Sequence, residues 1–178
     1  MNEKELTGLL ESWENLPLLI NQIADSPGLI NLLMNIALHS DHEKSWRAVW
    51  VADKINDIKP ELITPFTGKM INRLKKETDT GRKRQFLKLI SINKIPRKHF
   101  AFLADYCFRI FNSASESVGV KVYALQILFN LSEKEADLKP ELLSLIEYEL
   151  ERDPKPGIKA RGKKIAGILS KQINSSGA

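Results

Sequence analysis

At 178 residues the chain has room for one single-core domain or one short repeat array, and 43% apolar with 28% charged residues exclude a disordered chain. No apolar run approaches the roughly 18 residues that a membrane-spanning helix needs. The formal charge of +5 is modest but uneven: residues 80–112 carry eight Lys and Arg against one acid and residues 153–178 six against one, while 1–40 and 113–152 are acidic.

Helical periodicity dominates and no useful stretch alternates with period two, so the fold class is all-α. Leu6, Leu9, Leu10 and Trp13 mark a first short helix over 3–13, and Pro17 near its start marks a second over 16–24. Pro27 opens a third, to about Leu38. Ser40 with Glu43 and Ser113 with Glu116 have capping-box spacing, in which a serine oxygen takes the third backbone N–H and the glutamate reaches back. Pro60, Pro96 and Pro140 each sit where a first helical turn tolerates a missing N–H.

The result is an alternation of A helices (27–38, 60–77, 96–112, 138–151) and B helices (42–57, 81–92, 115–132, 156–172). Gly119 and Lys121 recur as Gly157 and Lys159 at a spacing of 38, and Gly81 with Lys83 lies another 38 earlier. A period of about 34 to 47 built from helix pairs is the mark of an α-solenoid, in which each pair buries its apolar face by stacking on its neighbours. The segments Trp46–Ala52 and Val120–Leu125 carry a resemblance to HEAT and armadillo-type repeats over residues 27–172. That resemblance implies a right-handed superhelix of about four helix pairs after two short N-terminal helices. The expected organisation is a single domain over 1–178, with repeats at 27–57, 60–92, 96–132 and 138–172 and a disordered tail at 173–178.

If the B helices line the concave side, their non-apolar face is the binding surface. On the first B helix the core stripe is Ser45, Ala48, Val49, Ala52 and Ile55, which leaves Trp46, Trp50 and Asp53 together on the other face. The equivalent positions include Arg84 and Lys88, then Gln126, then Lys164. Exposed aromatics anchor partners; the competing structural reading packs Trp46 and Trp50 on Leu33, Met34 and Ala37. Arg47, Lys83, Lys121 and Lys159 place one cation at the start of each B helix, a row able to meet phosphates. Asp41, Glu77 and Asp153, each six residues before such a cation, point instead to an inter-repeat ladder of acid and base.

His39 and His42 beside Asp41 and Glu43 read as a capping turn rather than a metal cluster. Cys107, the only cysteine, excludes an internal disulfide, suits a reducing compartment and sits at core spacing between Leu103 and Phe111. The acidic N-terminal stretch lacks a secretory pattern, so a cytoplasmic location is expected. No phosphate loop or nucleophile elbow is present. The reading is a non-enzymatic scaffold without cofactor, metal or evident small-molecule substrate, binding a protein or peptide through its B helices and not a membrane. The alternative is a nucleic-acid binder using 80–98 and 153–171, favoured if Arg82, Arg84, Lys88, Arg161, Lys163 and Lys164 converge on one surface.

Overall fold

The computed structural model describes residues 1–39 and 41–176, and every regular element among them is helical. The chain divides into two compact units, Met1–Pro96 and Arg97–Ala178. The first holds α1 (Glu3–Leu10), a 3-10 turn at Trp13–Asn15, α2 (Leu16–Ala24), α3 (Pro27–His39), α4 (Ser45–Ile58), α5 (Pro60–Ile63), α6 (Thr67–Leu74) and α7 (Thr80–Ile92). The second holds α8 (Phe100–Asn112), α9 (Val118–Ser132), α10 (Leu138–Glu151) and α11 (Pro156–Ser176).

Apolar periodicity sets both cores. Ala48, Val49, Ala52 and Ile55 of α4 are fully buried against α3 and α7, as are Val120, Ala124, Ile127, Leu128 and Leu131 of α9 against α8 and α11. Each such side chain contributes roughly 1.5 to 3 kcal/mol on burial for a Val, Leu or Ile. In α11 the stripe is Ile158, Ile165 and Leu169, with Gly162 brought close to α10.

Helix boundaries depart from the periodicity where local chemistry intervenes. The expected helix over 60–77 is interrupted by a 3-10 turn at Thr64–Phe66, because Pro65 cannot donate into the ladder and crowds the preceding turn. The Thr64 hydroxyl donates to the Pro60 carbonyl at 2.9 Å and the Thr67 hydroxyl to the Thr64 carbonyl at 2.8 Å. Helix α9 begins at Val118, not at 115, and its cap is Ser117, whose hydroxyl accepts from the Val120 N–H. Ser113 turns its hydroxyl to Ser115, so the Ser113–Glu116 box does not form at this start. The other expected box involves Ser40, which lies outside the described residues. A capping box does form at Asn2 and Glu5, at the start of α1. At the other end, 173–176 continue α11 instead of forming a tail; 177 and 178 lie outside the described residues.

Within each unit, polar side chains bridge helix pairs at close to the repeat length. Arg82 donates to the Ser45 hydroxyl across 37 residues, Lys88 to Asp53 across 35 and Asn93 to Asn56 across 37. In the second unit Arg161 donates to Gln126 across 35, Arg97 to Glu135 across 38 and Gln172 to Glu133 across 39.

Candidate functional site

Helix α4 presents Trp46 and Trp50 one turn apart, both half-buried. Their neighbour is Trp13, delivered by the 3-10 turn that Ser12 caps after α1. Its ring centroid lies 5.7 Å from that of Trp46, tilted by 58°, and 5.3 Å from that of Trp50, at 85° and so edge to face. Pairs of this geometry contribute about 0.5 to 1.5 kcal/mol beyond area burial. Trp13 nevertheless remains 49% exposed. All three tryptophans of the protein therefore share one surface cluster.

Arg47 holds the cluster from beneath. Its guanidinium carbon lies 4.9 Å from the Trp13 centroid and 5.7 Å from that of Trp46. Its Nη1 donates to the Leu10 carbonyl at 3.0 Å and also to that of Glu11. These carbonyls end α1, where the helix dipole favours a cation. The residue is buried, which corrects its assignment to a solvent-facing cationic row: Arg47 positions the aromatics and is not itself a contact surface.

Asp53 is also displaced from the exposed face. It is 1% exposed, and its Oδ2 lies 2.6 Å from the Lys88 ammonium and 3.8 Å from that of Lys54. Lys54 in turn lies 5.7 Å from the Trp50 centroid, so this ion cluster borders the aromatic one. On α7, Arg84 is exposed one turn before Lys88. Trp46, Trp50, Arg84 and Lys88 thus share the first unit with Trp13, which sequence reasoning missed. The signal available was rarity: three tryptophans in the chain, one of them in an otherwise acidic polar stretch.

In the second unit, Gln126 accepts from Arg161, Lys121 is half-buried and Lys164 is exposed. Lys159 pairs with Asp153 at 2.9 Å, and that hydrogen bond together with the lysine charge lowers the Asp153 carboxyl below its ordinary range. Of the expected pairs of an acid and a cation six residues apart, Asp153 with Lys159 is formed. Glu77 pairs with Arg82 at 2.7 Å and Arg73 at 3.1 Å, and Arg47 with main-chain carbonyls. The Cys107 thiol is fully buried, and desolvation pushes it far above its usual range, away from nucleophilic chemistry. His42 closes a turn, its Nδ1 accepting from the Lys44 N–H and its Nε2 lying 3.4 Å from Glu11. Among the described residues no group of three His, Cys, Asp or Glu is placed to hold a metal.

The HEAT repeat domain family matches the chain over residues 3–169, both units included. The chain belongs to that family. HEAT repeats commonly mediate protein interactions and scaffolding, and the family is typically non-enzymatic. Comparison with curated proteins and with solved structures finds no match. Among the described residues no HEAT helix is long and apolar enough to cross a membrane.

Proposed function

We propose that this HEAT repeat protein is a non-enzymatic, cytoplasmic scaffold that binds a protein or peptide through the B-helix face of its first unit. The observation that carries the reading is the Trp13, Trp46 and Trp50 cluster, half-open to solvent and supported by buried Arg47. Large, rigid aromatic surface held in place by its own buried support is the usual composition of an interface hot spot, since little side-chain entropy is lost on binding. Lys54 borders it, with Lys88 alongside through their shared partner Asp53, and the two supply a polar rim.

The nucleic-acid alternative needs free cations, and three of the six residues it relies on are engaged within the fold. Arg82 is bound to Glu77 and Ser45, Lys88 to Asp53 and Arg161 to Gln126. Arg84, Lys163 and Lys164 are left exposed.

Capture from native lysate, with and without nuclease, separates the two readings. The expected result is a partner retained after nuclease, lost with Trp13→Ala and Trp50→Ala, and kept with Lys163→Ala and Lys164→Ala. A nuclease-sensitive partner with the opposite dependence overturns the proposal. So does oligonucleotide binding whose log affinity falls with log salt by about 0.9 per duplex phosphate contact.

A further inference from the structure

In the first unit four cations of the helix-pair framework are matched. Arg47 meets carbonyls, Lys59 meets Asp25 at 2.9 Å, Arg82 meets Glu77 and Lys88 meets Asp53. A different arrangement occurs on the A helices. A pocket of about 530 Å³ is lined by Leu38 and His39 at the end of α3 and by Lys69, Asn72, Arg73 and Lys76. Positions 69, 72, 73 and 76 follow i, i+3, i+4, i+7 and share one face of α6 and the turn after it.

No carboxylate lines this pocket. The adjacent acid, Glu77, has a fully buried side chain already shared between Arg73 and Arg82. Its bond to Arg73 takes only Nε, at 3.1 Å, which orients the guanidinium and leaves both Nη groups without a hydrogen bond to the described residues. Lys69 lies 5.3 Å from the Phe66 ring centroid, a contact that places the ammonium without neutralising it. Lys76 and His39 are exposed. The C-terminal carbonyls of α3 supply about half a negative charge, too little to balance three cations.

We propose that this pocket binds a phosphate monoester. Such a group carries about −1.5 to −2 charge at neutral pH and three acceptor oxygens, to be met by the Arg73 Nη groups and the Lys69 and Lys76 ammoniums, with Asn72 as a further donor. A phosphodiester brings a single charge, which leaves more of the lining cations unmatched. The group can belong to a small phosphorylated molecule or to a phosphorylated side chain, and the site is independent of the tryptophan cluster.

The test is an amide chemical-shift titration of the full chain with inorganic phosphate, glycerol phosphate and a phosphoserine peptide, each at constant ionic strength against chloride. Saturable shifts confined to 38–39 and 69–76, with a dissociation constant of about millimolar or tighter, are expected. Lys69→Glu with Lys76→Glu, both at exposed positions, should weaken binding at least tenfold with the helical circular dichroism unchanged. Lys76→Ala alone should weaken it in the same direction, and Lys163→Glu with Lys164→Glu should not. Tighter binding of the peptide assigns the site to a phosphorylated partner, and tighter binding of glycerol phosphate to a small molecule. Equal shifts with chloride, or equal loss in the 163/164 variant, overturn the proposal.

Discussion

Glu77 and Arg82 show at the level of single residues how this fold uses charge. The carboxylate is buried, its side chain inaccessible, and it holds two arginines, one of which reaches Ser45 on the preceding B helix. Removing one partner of a buried pair leaves the other charge desolvated and uncompensated, a cost of about 3 to 5 kcal/mol. Glu77→Ala should therefore lower the free energy of urea unfolding by at least about 3 kcal/mol, whereas Asp105→Ala, whose pair with Arg109 is exposed, should change it by about 0.5 kcal/mol or less. The same contrast explains what was readable in the sequence. That Trp46 and Trp50 share one face of their helix is legible, because their positions follow from the apolar stripe. Arg47 was misplaced because its partners, the Leu10 and Glu11 carbonyls, are main-chain groups that no residue type announces. Asp53 was misplaced because its partner comes from the next helix pair.

Helix α11 separates three glycines that look alike in sequence. A Cβ at 157 would lie 3.1 Å from Val118 Cγ1 and one at 162 would lie 3.2 Å from Ile146 Cγ2, whereas one at 167 would meet nothing within 4 Å. The first two mark close approach to α9 and α10; the third weakens its helix by about 1 kcal/mol relative to alanine without packing return. Gly167→Ala should raise the midpoint of thermal unfolding, and Gly157→Ala and Gly162→Ala should gain less or lose stability. At this scale the sequence was most readable in its periodic stripes and least so at helix starts. Ser113 and Ser117 offer the same hydroxyl, and it is Ser117, four residues further on, that caps α9.

The period of 38 was legible because repeats renew the same stripe, but the division at 96/97 was not, since the stripes carry no sign of which neighbours gather into one compact unit. The first unit contains its own core and all three tryptophans. Residues 1–96 expressed alone should therefore keep a helical circular dichroism spectrum and the tryptophan emission of the full chain; a coil spectrum would show that this core is insufficient by itself. The polar bonds spanning 35 to 39 residues have an evolutionary consequence. One residue inserted or deleted within a helix turns everything beyond it by about 100°, carrying Lys88 away from Asp53 or Asn93 away from Asn56. Length differences among homologues should therefore fall in the interhelix loops, or arrive as the duplication or loss of whole helix pairs.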